Sequence, residues 1–213
     1  ALLTLGIKHG DHVGLIAENR YEWLLIDQAL ASLGIVDVPR GSDTTPTELQ
    51  FILAHSGCCA AFAEDDRVAA EMVSMQAKLP HLEHVIVMAD STEVEGARTL
   101  GELLASGEQA AGQGAEKLRE ARQAVQASDL LTIVYTSGTT ADPKGVKHTD
   151  ASLWAAAKGM SIALDMRPED RVAFVFPFTH IGGINWLQSA LSYGCTHILI
   201  ENFADPATMS TLV

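Results

Sequence analysis

Short apolar runs along this chain alternate with stretches whose apolar residues fall three and four apart, and that alternation limits the fold more than any other feature. Residues 13–17 form the first run. Behind it Trp23, Ile26, Leu30 and Leu33 are spaced 3, 4 and 3, one buried face of a helix, with Gly34 as its stop and Asn19 to Glu22 as a capping-box-like start. Residues 36–38 make a second run. Thr45, Pro46 and Glu48 then supply a cap, a first-turn proline and a third-position acid for a helix buried through Leu49, Ile52 and Leu53 and ended by Gly57. Residues 58–63 and 85–88 are further strands, and Val68, Met72, Met75 and Leu79 mark the helix between them. Strands separated by helical stretches predict an α/β fold of alternating βαβ layers, with mostly parallel sheets and helices on both faces.

The pattern lapses over residues 91–128, a polar tract containing the glycine-bearing run 107–114, which reads as a flexible surface excursion between two sheet regions. The chain therefore divides into an N-terminal α/β subdomain, 1–128, and a second α/β region, 129–213, built around a loop. After that loop Leu153, Ala157, Met160 and Leu164 mark an amphipathic helix, and residues 172–176 a buried strand. Pro177, Phe178, Thr179 and His180 leave the strand, Ile181, Gly182 and Gly183 follow, and Ile184, Leu187 and Leu191 continue at helical spacing before a last strand at 197–200.

The loop itself carries the chemistry. Residues 130–135 are nearly all apolar, with β-branched Ile133 and Val134, as a strand buried on both faces requires. Thr136, Ser137, Gly138, Thr139 and Thr140 then place short hydroxyls and a permissive backbone together, so that N–H and O–H donors can converge on an anion. Pro143 stiffens the exit, Lys144 adds a cation on a long stem, and Gly145 allows a close backbone approach. Two commoner loops fail on spacing. The NTPase loop needs Gly before Lys and Ser or Thr after it, where this chain has Pro143 and Gly145. The nucleophile elbow needs Gly two residues before Ser137, where Tyr135 stands.

Charge narrows the choice of ligand. With 27 acidic against 14 basic residues the net charge is −13, which argues against a nucleic-acid surface and means that an anionic ligand is held locally. A hydrophobic fraction of 47% over 213 residues is ample for a core. No apolar run approaches the roughly 20 residues of a membrane span. Cys58, Cys59 and Cys195 form neither an even framework nor a CxxC pair, which points to a reducing, cytoplasmic setting.

Residues 135–146, YTSGTTADPKGV, resemble the signature YTSGTTGxPKGV of the adenylate-forming superfamily of acyl-CoA synthetases, peptide-synthetase adenylation domains and luciferases, with Ala141 where the signature has Gly. The likeness extends over almost the whole chain. GIKHGDHVGLIAENRYEW is similar to the family's opening strand and helix, PFTHIGG to its second core motif, and VPRGSDTT to long-chain fatty acyl-CoA ligases. The resemblance implies an ATP-dependent acyl-CoA ligase of fatty acid and lipid metabolism, with a fatty or other carboxylic acid, ATP and CoA as partners and Mg²⁺ bridging phosphate oxygens. It implies that Thr136, Ser137, Gly138, Thr139, Thr140 and Lys144 hold the β- and γ-phosphates. His180 would meet the acyl chain and the reacting carboxylate, with Gly182 and Gly183 leaving room for substrate. It also implies a peripheral place at a membrane if the acid is long-chain. His55, His148 and His197 read as structural or solvated, Tyr135 and Trp186 as core, and no carboxylate cluster reads as a metal site.

The family's later motifs, an aromatic-Gly-x-Thr-Glu for adenine and metal, a Thr-Gly-Asp for ribose and a C-terminal-domain Lys, have no counterpart here. The chain thus resembles the N-terminal portion of such a ligase, inactive by itself. The alternatives are a non-catalytic nucleotide-binding module on the same fold and an adenylation domain that loads a carrier protein.

Overall fold

The computed structural model describes residues 1–136 and 142–200. Strands β1 (His12–Ile16), β2 (Val36–Arg40), β3 (Ala60–Ala63), β4 (His84–Val87), β5 (Ala97–Thr99), β6 (Leu130–Thr136) and β7 (Lys144–Thr149) form one sheet in the order β5-β4-β3-β1-β2-β6-β7. Every neighbouring pair is parallel except β6 with β7, which is antiparallel. The strands β8 (Arg171–Phe174) and β9 (Thr196–Leu199) pair in parallel as a second sheet. This is the mostly parallel α/β architecture that the alternation predicts. The seven-stranded sheet runs across residue 128, since β6 and β7 add to the strands before it; the division into 1–128 and 129–213 stands as a proposal about folding units.

The helices are α1 (Tyr21–Ala31), α2 (Pro46–Ser56), α3 (Asp66–Met75), α4 (Leu100–Ala124), α5 (Asp150–Ala163) and α6 (Ile181–Tyr193). Side chains alternate across β1, so Val13 and Leu15 join Trp23, Ile26 and Leu30 of α1 in one core, while Ile16 joins Leu49, Ile52 and Leu53 of α2 in the other. Trp23, with no exposed surface, anchors the first core. Burying a large apolar side chain of this kind contributes about 1.5–3 kcal/mol. The start of α2 forms as expected, with Thr45 accepting from the Glu48 N–H and Pro46 at the first helical position.

Four local expectations are corrected. The cap of α1 is Arg20, in extended conformation and without a side-chain cap bond; Asn19 is engaged elsewhere, 157 and 159 residues along the chain. The polar tract is not a flexible excursion, because it holds edge strand β5 and then α4, which runs for 25 residues through the run 107–114. Thr99 and Glu102 start that helix with both bonds of a capping box, and its many Ala, Leu, Glu, Gln and Arg residues outweigh its glycines, each of which costs about 1 kcal/mol against Ala.

The helix α5 ends at Ala163, so Leu164 lies past its last turn and is exposed. Ser161 is buried in its stead, donating to the carbonyls of Ala157 (2.9 Å) and of Ser189 on α6 (3.3 Å). The strand expected at 172–176 stops at Phe174, and Val175 and Phe176 turn outward as the chain leaves the small second sheet.

Candidate site for a phosphate chain and a carboxylate

Parallel neighbours β1, β2 and β6 bring their carboxyl ends to one edge of the sheet, the side at which open α/β sheets bind ligands. Thr136 ends β6 there. Lys144 begins β7 and is paired directly with Thr136, so the intervening loop leaves and returns between hydrogen-bonded neighbours. Both residues are exposed. Ser137, Gly138, Thr139 and Thr140, together with Ala141, lie outside the described residues.

The base of this hairpin is rigidly packed. Tyr135 is buried, and its hydroxyl bonds His55 Nδ1 on α2 at 2.6 Å, with the two rings edge to face. Burial pushes the phenol up to about 12, so it remains a neutral hydroxyl. Gly145 lies against that ring, and a Cβ there would stand 2.8 Å from Ile133 Cγ2 and 3.1 Å from Tyr135 Cζ. The close approach that Gly145 permits is therefore to its own partner strand. Arg40, at the end of β2, donates from Nη1 to the Tyr135 carbonyl (3.2 Å) and forms an ion pair with Glu48. A cation thus sits one residue from Thr136. Sequence reasoning missed Arg40, although a basic residue at the carboxyl end of a strand next to the loop strand is the available signal.

The second limb comes from the other sheet. Phe178 is fully buried, 5.0 Å from Trp23 and 5.4 Å from Phe174 between ring centroids, and it fixes the segment between β8 and α6. His180 is the cap of α6, with its Nδ1 accepting from the Gly182 N–H at 3.2 Å. An accepting Nδ1 places the ring proton of neutral His180 on Nε2, which has no partner among the described residues, and the side chain is exposed. At Gly183 the room is filled by the chain itself, since a Cβ would stand 2.0 Å from the Pro177 carbonyl oxygen. The space beside Gly182 is bounded by His180 Nδ1 at 3.4 Å.

Of the other residues weighed from sequence, Tyr135 is core and Trp186 is half-buried, donating from Nε1 to the Ala173 carbonyl. His55 is structural through its bond to Tyr135. Burial holds His148 and His197 below the usual histidine range, and His197 packs edge-on to Phe174. Cys58, Cys59 and Cys195 are free thiols. Among the described residues no group of three His, Cys, Asp or Glu could hold a metal ion, and no helix is long and apolar enough to cross a membrane.

Thr136 and Lys144 thus stand paired at the carboxyl edge of the large sheet, and His180 caps the helix that follows β8 of the small one. The profile of the AMP-binding enzymes matches residues 1–213. The chain belongs to the AMP-binding enzyme family. This AMP-binding chain is 29% identical over 198 residues to the long-chain-fatty-acid–CoA ligase FadD15 of Mycobacterium tuberculosis, covering 92% of this chain and 31% of that protein. It is 30% identical over 218 residues to the long-chain-fatty-acid–CoA ligase FadD13 of the same organism, covering 100% and 39%. The N-terminal domain of FACL13 from Mycobacterium tuberculosis is similar in structure, with a TM-score of 0.74 at 27% identity over 99% of this chain and 48% of that one. The anthranilate CoA ligase AuaEII, solved with anthranoyl-AMP, shares the fold with a TM-score of 0.80 at 22% identity, over 98% and 39%. The AMP-binding chain thus spans 31% to 39% of the length of these two curated relatives.

Proposed function

We propose that this chain supplies the phosphate-gripping and carboxylate-facing parts of an AMP-forming acyl-CoA ligase acting on fatty acids. The observation that carries the reading is the direct pairing of Thr136 with Lys144 at the mouth of the loop. A carboxylate oxygen attacks the α-phosphorus of ATP, the bond to the β-phosphate's bridging oxygen breaks, and pyrophosphate leaves. The thiol of CoA then attacks the acyl carbonyl, loses its proton and expels AMP.

In this scheme Thr136, Ser137, Gly138, Thr139, Thr140 and Lys144 grip the β- and γ-phosphates and stabilise the charge that grows on pyrophosphate as it departs. Arg40, its charge offset by Glu48, fixes the Tyr135 carbonyl and so the backbone that leads into Thr136. His180 presents Nε2–H to the incoming carboxylate, and the open side of Gly182 leaves room beside it. The contribution of Gly183 is indirect: it admits the Pro177 carbonyl and so sets where His180 stands. Mg²⁺ would neutralise the triphosphate when bound. Among the described residues no group of three His, Cys, Asp or Glu could hold it, so the triphosphate oxygens would supply most of its ligands.

In the whole protein, Lys144→Ala should slow pyrophosphate release by about 10²-fold or more, the scale on which single electrostatic groups act. Thioester formation from supplied acyl-adenylate should fall much less. Equal loss in both half-reactions would exclude the phosphate role of Lys144. Transfer to a carrier-protein thiol in place of CoA would reassign the acceptor.

A further inference from the structure

We infer that Asn19 is the positioning residue that joins the two sheets and sets His180 relative to β6 and β7, at whose paired ends Thr136 and Lys144 stand. Asn19 lies just beyond β1, whose C-terminal extension is tied down on both sides: the Ala17 N–H donates to the Arg40 carbonyl (3.0 Å) and the Glu18 N–H to Glu64 Oε2 (3.2 Å). From that fixed base the carboxamide reaches the segment between β8 and α6. Its Nδ2 donates to the Phe176 carbonyl at 2.9 Å, and its Oδ1 accepts from the Phe178 N–H at 2.7 Å.

Those two backbone groups flank Pro177, which has no N–H of its own. The Phe176 carbonyl and the Phe178 N–H face the same side here, so that one side chain can meet both. A carboxamide with one donor and one acceptor can satisfy both, whereas a carboxylate has no donor and a hydroxyl is too short to span them. Asn19 therefore bridges two sheets that, among the described residues, share no strand pairing. Its bonds work together with two others. The Phe178 ring is plugged between Trp23 and Phe174, and the Pro177 carbonyl is seated against Gly183 while accepting from the His180 N–H (3.1 Å). With Asn19 in place, the cap of α6 has one position relative to β1 and, through β2, to β6.

The catalytic consequence rests on the proposed function, while the clamp rests on geometry alone, and the test separates them. In the whole protein, Asn19→Ala removes both bonds, and Asn19→Asp keeps the size and the acceptor but loses the donor. Asn19→Ala, which loses both hydrogen bonds, should raise amide exchange across residues 176–183 by about tenfold or more, and Asn19→Asp, which loses the donor, by about severalfold, while peptides from α2 and α3 keep their protection. Carboxylate-dependent kcat/KM should fall by about tenfold or more with KM for ATP within about twofold, a split that general destabilisation does not produce. Unchanged exchange at 176–183, or an increase spread evenly over the chain, overturns the clamp. Faster local exchange with unchanged kcat/KM overturns the positioning role. A wild-type protein without carboxylate-dependent turnover would count against the proposed function, and the exchange measurement would still decide the clamp.

Discussion

Asp37 occupies a position where a carboxylate cannot easily stay charged: it is buried on β2, opposite Thr132 of β6. Burial first, and then the neighbouring Asp27, push its carboxyl well above the usual range, and burial pushes Asp27 up to about 6. In the folded chain both groups bind protons more tightly than in the unfolded one, where an Asp titrates near about 3.9. Their stabilising contribution is therefore complete below that value and is lost as the pH rises through the folded values. Unfolding by urea should show stability falling from about pH 4 through about pH 6 and beyond for this pair, and Asp37→Asn should flatten that slope. A slope unchanged in Asp37→Asn would show that Asp37 takes up no extra proton on folding. Tyr135 and His55 offer a second test at this scale. Tyr135→Phe removes one partly buried hydrogen bond and should cost about 1 kcal/mol of stability, read from urea midpoints, with a larger effect on ATP-dependent turnover if the hairpin base sets the loop.

At the scale of elements, the two strands that flank the loop behave differently as sequence. The strand β6 is an apolar run, legible because it is covered on both sides. Its partner β7 carries Lys144, Lys147 and His148 and was not anticipated as a strand, since an edge strand is free to face water and is blunted by just such charges. Its antiparallel return is what brings Lys144 opposite Thr136. The helix α4 was illegible for another reason: its glycines argued for a loop, while the capping box of Thr99 with Glu102 and the helix formers around them decided the outcome. Thr99→Ala should cost about 1 kcal/mol, measured as a shift in the unfolding midpoint, and should speed amide exchange in the first turns of α4 more than in α2.

For the molecule as a whole, the isolated 213-residue chain should release no pyrophosphate above background with ATP, Mg²⁺, CoA and fatty acids, because no motif for adenine or ribose is present in it. Carboxylate-dependent turnover by the chain alone would show a more complete site. Trp154 and Ile162 of α5 and Leu164 just past its end are exposed apolar side chains, and Trp154→Glu should lower any self-association seen by sedimentation. Short apolar runs and the 3.6-residue period were enough to place the parallel strands other than β5, the faces of α1 and α2 and the strand-to-loop step at Thr136, since burial of apolar faces is dictated locally along the chain. Which hydrogen bonds Asn19 makes, why Gly183 must be Gly, and that Arg40 holds Tyr135 were decided by tertiary structure alone. The partners of Asn19 and Arg40 lie 95 to 159 residues away, and the Pro177 carbonyl meets Gly183 only because the chain folds back at the start of α6; a polar side chain or a glycine carries no periodic mark of the backbone it will meet.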